Sequence, residues 1–331
     1  MAGRVHARTR AEWDLPEVTP RSEEGLACTE CVNGCRMAEG ETGLCGLRSN
    51  RGGRMTGATE EVGKVSWYHD PLPTNCVADW VCAGGTGAGY PRFAHCPGPE
   101  RGYLNLAVFF SACSFDCLFC QNWSYRQGMH RPGGRTPQEL ADAVSDTTSC
   151  ICHFGGDPGP QAPWAIKASR RALECAGDRI LRICWETNGS VHPDHLDEML
   201  DLSLSTGGCV KFDLKALSDP LHLALTGVTN RRTLANFRRA AGRTAGRLTP
   251  PGLIASTLLV PGYLEAEEVG SIASFIAGID AEIPYSLLAF HPQFRMTDLP
   301  ATSRQQADEC LEAALEAGLK RAKVGNVHLL R

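Results

Sequence analysis

Hydrophobic and polar positions divide the chain into two regions that meet near residue 103. Beyond that point, short apolar runs alternate with stretches in which apolar residues recur every three or four positions. Runs of four to eight apolar residues are typical of buried strands, and the three-to-four repeat is typical of amphipathic helices. The run "YLNLAVFFSA" predicts the first strand, and "TPQELADAVSD" predicts a helix that begins after a threonine cap.

The same alternation continues almost to the end of the chain. Further strands are predicted in "SCICHFGG", "RILRICWETNG", "CVKFDLKAL", "GLIASTLLVPG" and "YSLLAFHP", with "AKVGNVHLL" as a candidate terminal strand. Strands that alternate with helices predict an α/β protein with a parallel sheet curled into a barrel. About six strand–helix units are fewer than the eight of a closed TIM barrel, so we expect a partial (β/α)6 TIM-like barrel. Ligands of such sheets bind at the carboxyl ends of the strands.

The region before residue 103 shows little of the apolar runs typical of strands or of the three-to-four repeat typical of helices. We expect a loose tail over residues 1–22, an irregular extension over residues 23–102, and the barrel over residues 103–331. The extension is rich in Cys, Gly and Pro, which is turn and loop chemistry. An irregular segment of this length needs support other than a packed core, and metal ligation is the obvious candidate.

Composition narrows the functional classes. The chain has 331 residues, 43% of them hydrophobic and 21% charged, as expected for a protein with a sizeable core. Its formal net charge of −4 argues against a nucleic-acid partner. No apolar run reaches membrane-spanning length, and the amino-terminal segment does not read as a secretory signal. We therefore expect a cytoplasmic location and no membrane partner.

Sixteen cysteines require an explanation. Cytosolic thiols stay reduced, so clustered ones are candidate metal ligands. Four thiols near the amino terminus are enough for a closed site that holds structural zinc or an auxiliary iron–sulfur cluster: Cys28, Cys31, Cys35 and Cys45. A looser group receives no assignment: Cys76, Cys82 and Cys96. The scattered remainder are expected to be small buried hydrophobes: Cys150, Cys152, Cys175, Cys184, Cys209 and Cys310.

The segment "ACSFDCLFCQNW" places Cys113, Cys117 and Cys120 directly after the first predicted strand. Three interpretations compete for this C-x3-C-x2-C spacing. Structural zinc requires a fourth ligand, and His130 is the nearest histidine downstream. Cys117 and Cys120 alone have the spacing of a redox pair. A [4Fe–4S] cluster held by three thiolates would keep one iron open to a small chelating molecule.

This spacing at this place resembles the signature of the radical SAM superfamily. The resemblance implies that S-adenosylmethionine completes the cluster and that an electron from the cluster cleaves its sulfonium bond to a 5′-deoxyadenosyl radical. It also implies that Phe119 lies against the adenine.

Further motifs end the next predicted strands. Gly155, Gly156 and Asp157, followed by a proline, look like the superfamily's G-G-E-P element, in which the glycines approach the methionine amine and the acid accepts its charge. A tight turn is the alternative for this tetrapeptide.

"WETNGS" and "KFDLKAL" resemble the pyruvate formate-lyase activating enzyme group. By that resemblance, Lys215 pairs with the methionine carboxylate, while Asp213, Glu186 and Thr187 line a polar or cation site. A salt-bridged cluster at a barrel rim is the alternative. The stretch "LLAFHPQF" is similar to that group's F-H-P element and implies that His291 approaches the adenosyl ribose.

The amino-terminal cysteine segment, "ACTECVNGCRMAEGETGLCGLR", resembles that of AmmeMemoRadiSam-type radical SAM enzymes, although Val32 stands where a proline is expected. The resemblances cover about residues 103–300, and more weakly residues 26–50.

Three functions follow. The first is hydrogen abstraction from a glycyl residue of a partner protein, as activating enzymes perform it. The second is radical modification of a small molecule or peptide, and the third is a zinc-stapled binding or redox-sensing protein. Either radical function implies an external electron donor such as flavodoxin or ferredoxin.

Overall fold

The structure is a computed structural model that describes residues 2–129 and 133–331. His130, the candidate fourth zinc ligand, lies outside the described residues. No helix among the described residues is long and apolar enough to cross a membrane.

The amino-terminal part contains short elements. Helix α1 (Ala2–Ala11) is followed by two small antiparallel pairs, and then by one long strand and one helical turn. In chain order these are β1 (Leu26–Ala27), β2 (Arg36–Met37), β3 (Arg48–Arg51), β4 (Arg54–Gly57), β5 (Val65–Pro71) and α2 (Ala83–Thr86).

The remaining chain alternates strands and helices as predicted. Its strands are β6 (Leu104–Phe110), β7 (Thr148–Gly155), β8 (Arg182–Thr187), β9 (Val210–Asp213), β10 (Leu253–Leu259), β11 (Tyr285–Ala289) and β12 (Ala322–Gly325). Its helices are α3 (Tyr125–Met129), α4 (Pro137–Asp142), α5 (Ala162–Ala176), α6 (Pro193–Thr206), α7 (Asp219–Thr226), α8 (Arg231–Thr244), α9 (Ala266–Ala277) and α10 (Arg304–Glu316), with 3-10 turns at Gly159–Gln161 and Val327–Leu329.

Eight strands form one sheet in the order β12-β11-β10-β9-β8-β7-β6-β5. Strands β6 to β12 run parallel, and β5 pairs antiparallel with β6 at one edge. The predicted fold class, an α/β partial barrel with a parallel sheet, is confirmed. The sheet begins at Val65, inside the segment expected to be an irregular extension, because β5 uses the free edge of β6.

The two faces of the sheet have different neighbours. Side chains alternate along a strand, so that Ile183 and Trp185 of β8 join the main hydrophobic core while Cys184 and Glu186 point the other way. The first set packs against the helices, and the second set faces the lumen of the curved sheet. The chemically active side chains are therefore expected on the lumen face.

The part of the extension that contains the unassigned Cys76 and Cys82 lies on that lumen face. We call residues 74–86 the lumen segment. Its Trp80 donates from Nε1 to Oγ of Ser286 on β11 at 3.0 Å, and Ser286 donates to the carbonyl of Val77 at 2.7 Å. Ala78 and Val81 pack against Ile254 and Cys209. The lumen segment thus fills part of the lumen between the strands.

Helix α1 differs from the loose tail expected over residues 1–22. His6 and Arg10 of α1 are 5% and 3% exposed. His6 Nδ1 lies 2.9 Å from Oδ2 of Asp116, and Arg10 Nε donates to the carbonyl of Pro16 at 2.6 Å. The helix is docked by polar contacts, which apolar periodicity does not detect.

Candidate active site

A cavity of about 1870 Å³, including its part open to solvent, lies at the carboxyl ends of the parallel strands. This is where strand-end motifs converge in barrels of this type. Most of the predicted site residues line it together: Cys113, Cys117, Phe119, Cys120, Gly155, Gly156, Asp157, Glu186, Thr187, Asp213 and Lys215.

The three cysteines follow β6 in a tight loop. Cys117 is 9% exposed, and the backbone N–H of Phe115 donates to Sγ of Cys113 at 3.4 Å. Burial raises the pKa of Cys117 to about 12 and raises the pKa of Cys113 and of Cys120 as well. The metal-free thiols therefore hold their protons, and a metal that binds here must displace them.

Asp116, inside the cysteine loop, is the centre of a buried charge network. Its Oδ1 accepts from Nη2 of Arg126 at 2.6 Å and lies 3.9 Å from Nη1 of Arg10, while Oδ2 faces Nδ1 of His6. Although burial opposes its charge, His6 and the two arginines hold the pKa of Asp116 below its ordinary value. This network could not be predicted from the sequence, in which the one available signal was an acid between two of the clustered cysteines.

The glycine pair brings the end of β7 against the cysteine loop. Gly155 has φ +104°, and a Cβ at Gly156 would lie 2.1 Å from the carbonyl oxygen of Ala112. The N–H of Gly156 donates to the carbonyl of Phe110 at 3.0 Å. A side chain at either position would separate the two loops, so the glycines are required by close backbone approach.

Asp157 ties the end of β7 to the end of β8. Its Oδ1 accepts from Oγ1 of Thr187 and from the N–H of Asn188, both at 2.9 Å, and Oδ2 accepts from the N–H of Gly159 at 2.9 Å. Burial raises the pKa of this carboxyl to about 6, despite those hydrogen bonds. These contacts are those of a tight turn. The hydrogen bond between Thr187 and Asp157 lies at the cavity wall.

We expect Asp157 to make stability depend on pH. Its pKa lies above the unfolded value of 3.8, so its contribution is fully present below about pH 4 and is lost as pH rises through about 6. In denaturant unfolding from pH 4 to pH 7, the free energy of unfolding of Asp157→Asn should gain about 3 kcal/mol relative to the wild type. A difference in unfolding free energy between the two proteins that stays constant from pH 4 to pH 7 would contradict the raised pKa of Asp157.

Lys215 and Asp213 form an ion pair beside the cysteine loop. The Lys215 ammonium lies 5.4 Å from the centre of the Phe119 ring. Although burial opposes its charge, Asp213 holds the pKa of Lys215 above its ordinary value. Oδ1 of Asp213 is buried and has no hydrogen-bond partner among the described residues. A permanent cation and an unpaired carboxylate oxygen thus border the cavity.

Lys211 and Glu186 form a second pair lower in the lumen. Lys211 is 2% exposed, and its ammonium lies 2.8 Å from Oε1 of Glu186, 3.1 Å from Sγ of Cys152 and 3.2 Å from Sγ of Cys76. These partners raise the pKa of Lys211 although burial opposes its charge. Of the three residues that the resemblance assigned to a polar or cation site, Glu186 contacts this ammonium.

His291 is not brought into the cavity. Strand β11 ends at Ala289, and the fully buried Phe290 takes the next inward position. His291 is exposed, and its Nδ1 lies 3.0 Å from the carbonyl of Pro292. His291 is not among the described residues that line the cavity, and its approach to a ribose stays a prediction.

The other cysteines lie closer together in space than their positions in the sequence indicated. A second cavity below the first is lined by Cys76, Cys82, Cys150, Cys152, Cys184 and Cys209. Cys310 is buried, Cys184 is half-buried and Cys175 is exposed, so the expectation of small buried hydrophobes fails for Cys175 and holds only in part for Cys184. The four amino-terminal thiols line a separate pocket.

The cavity residues fit an iron–sulfur cluster with a bound amino acid. Three thiols supply soft ligands, Lys215 supplies a cation for a carboxylate, and Asp213 supplies an unpaired oxygen. No three His, Cys, Asp or Glu side chains within residues 2–129 and 133–331 are close enough to hold a single metal ion. A [4Fe–4S] cluster holds its ligands further apart than one ion does, so its assignment to the three cysteines stays a prediction.

Known proteins share sequence with this chain. The family model described as "Radical SAM superfamily" matches residues 107–276, just over half of the chain. An uncharacterised protein of Methanocaldococcus jannaschii is 24% identical over 91% of this chain and 81% of its own length. Pyruvate formate-lyase 1-activating enzyme of Escherichia coli is 28% identical over 43% of this chain and 58% of its own length.

A solved structure supports the fold alone. A radical SAM methyltransferase from Sphaerobacter thermophilus superposes with a TM-score of 0.50 at 18% identity, covering 67% of this chain and 66% of that protein.

Proposed function

This chain belongs to the radical SAM superfamily, and from that premise we propose that its cavity holds the cluster on Cys113, Cys117 and Cys120. The enzyme's cofactors are a [4Fe–4S] cluster and S-adenosylmethionine. When bound, they supply a one-electron cleavage that enables a hydrogen atom to be removed from a substrate carbon. The interpretation as a zinc-stapled protein without radical chemistry is set aside, because the family match covers this region.

The chain's own residues bind and orient the cofactor. Lys215 provides the cation that pairs with the methionine carboxylate, and the backbone of Gly155 and Gly156 receives the amine. Phe119 is 2% exposed, so little of its surface is available to the adenine. Asp157 and Thr187 hold the wall rigid through their mutual hydrogen bond. The observation that carries the proposal is the convergence of three thiols and Lys215 in one cavity.

Two substrate classes have separate support. Similarity to an activating enzyme supports abstraction from a glycyl residue of a partner protein. The lumen segment supports a small molecule or a peptide side chain, because Cys76 and Trp80 of this segment line the cavity. Incubating the reduced enzyme with S-adenosylmethionine and a candidate glycyl-radical enzyme distinguishes them. An organic radical signal on the partner supports activation, and its absence with every such partner supports the second class.

We expect Lys215→Ala to keep the cluster but to bind S-adenosylmethionine about 10- to 100-fold more weakly. The reason is the loss of one charged hydrogen bond, worth about 1–3 kcal/mol. Anaerobic calorimetric titration measures the affinity, and iron analysis checks the cluster. Lys323→Ala is the matched control, since Lys323 lines the same cavity from β12. Normal affinity in Lys215→Ala would refute the carboxylate assignment.

A further inference from the structure

A fourth thiol lines the active-site cavity together with the three cysteines of the barrel loop. Cys76 of the lumen segment borders this cavity and also the second cavity below it. Among the described residues, it is the one cysteine outside the loop that lines the active-site cavity. The cluster does not use it, so this half-buried thiol is free for another task.

Hydrogen bonds of the lumen segment hold Cys76 in place. The N–H of Ala78 donates to Sγ of Cys76 at 3.5 Å, and the N–H of Asp79 donates to the carbonyl of Cys76 at 3.0 Å. The preceding residue, Asn75, donates from Nδ2 to Oδ1 of Asn326 at 3.2 Å. The sulfur therefore keeps a fixed position at the cavity wall, as a group that reacts with a bound molecule must.

Burial keeps Cys76 in its neutral form. Its Sγ donates to Oε1 of Glu186 at 3.5 Å and lies 3.2 Å from Nζ of Lys211. Burial raises the pKa of Cys76 well above its ordinary value, although the Lys211 ammonium opposes this shift. The thiolate is the form that attacks as a nucleophile or ligates a metal. Cys76 therefore presents an S–H bond to the cavity.

The same contacts connect this thiol to solvent. The Lys211 ammonium lies 2.8 Å from Oε1 of Glu186. The Glu186 side chain is 31% exposed and lines the active-site cavity, which is open to solvent. Because Cys76 contacts both groups of this pair, its thiol hydrogen can exchange with the hydrogens of water.

We propose that Cys76 is a catalytic residue that donates a hydrogen atom to a carbon radical in the active-site cavity. An S–H bond is weaker than the C–H bond of a methyl group or a sugar carbon, so this transfer is downhill. In the step the S–H bond breaks, a C–H bond forms, and the unpaired electron moves to the sulfur. This inference rests on the proposed function, which supplies the radical.

One electron and one proton restore the thiol. The electron comes from the external one-electron donor that the enzyme requires, a reduced flavodoxin or ferredoxin, and converts the sulfur radical into a thiolate. The Lys211 ammonium, 3.2 Å away, supplies the proton and regains one from water through Glu186. The hydrogen that Cys76 delivers therefore originates from solvent.

Deuterium labelling tests this transfer without the substrate. The holoenzyme is reduced in deuterium oxide with S-adenosylmethionine alone, so that the thiol is the hydrogen donor in the cavity. The 5′-deoxyadenosine from the wild type should carry one deuterium by mass spectrometry, and Cys76→Ala should lose this label. Unlabelled product from the wild type, or equal labelling in Cys76→Ala, overturns the inference.

Cys82→Ala is the matched control. Cys82 belongs to the same segment but lines only the lower of the two cavities, so its replacement should leave the label in place. Loss of the label in Cys82→Ala as well as in Cys76→Ala overturns the assignment to Cys76. A wild type that releases no 5′-deoxyadenosine contradicts the proposed function instead, so the two failures are distinguishable.

Cys76→Ser separates a chemical role from a structural one. Serine keeps the size and the hydrogen bonding of the side chain, but its O–H bond is too strong to give up a hydrogen atom. Iron content and the affinity for S-adenosylmethionine, from calorimetric titration, should equal those of the wild type, while the label is lost. Labelled product from Cys76→Ser, for instance through the hydroxyl of Tyr125 in the same cavity, overturns the inference.

Discussion

Replacing Cys113 by alanine abolishes all cleavage of S-adenosylmethionine. The remaining Cys117 and Cys120 cannot hold a site-differentiated cluster, because each of three thiolates ligates a different iron. We expect the loss of about four irons per chain and no detectable 5′-deoxyadenosine after reduction. Iron and sulfide analysis and chromatography of the products measure the two effects.

Cys175→Ala is the matched control, since this thiol is exposed on α5, outside the cavity. It should leave both iron content and cleavage unchanged. Cleavage that persists in Cys113→Ala would refute the location of the cluster on this loop.

Glu100→Gln is expected to destabilise the fold by about 3–5 kcal/mol, as breaking a buried ion pair does. Glu100 is fully buried and receives two bonds from Arg182 of β8, at 2.9 and 2.5 Å, and one from Ser149 of β7 at 2.8 Å. The amide leaves the guanidinium charge buried without a counterion. Denaturant unfolding at neutral pH gives the free energy.

The double variant Glu100→Gln, Arg182→Met tests whether the unpaired guanidinium charge causes the loss of stability. Removing both charges should recover part of the lost stability, because no unpaired charge remains. Glu282→Gln is the control at an exposed ion pair with Lys320 and should have no measurable effect. A double variant less stable than Glu100→Gln alone would show that packing, rather than charge, dominates.

The pattern of apolar residues was sufficient to predict the strands of the barrel. Strands β6 to β11 lie in the predicted runs, and the threonine cap of α4 is confirmed by the reciprocal bonds between Thr136 and Glu139. Motifs at strand ends were sufficient to identify most of the cavity, since parallel strands bring their carboxyl ends together.

Elements stabilised by distant partners could not be predicted in this way. Strand β5 consists of half-buried and exposed residues and depends on the edge of β6. Helix α1 is docked through His6 and Arg10, whose partners lie far along the chain or on loops. The lumen segment packs against side chains of five separate strands, and no local pattern encodes that.

The docking of helix α1 on Asp116 couples attachment of this helix to ordering of the cysteine loop. Because His6 contacts the residue that precedes Cys117, ordering of the cysteine loop and attachment of the helix favour each other by the same free energy. Insertion of the cluster should therefore stabilise the docked position of helix α1. Any ligand that detaches this helix should, reciprocally, weaken iron binding by the cysteine loop.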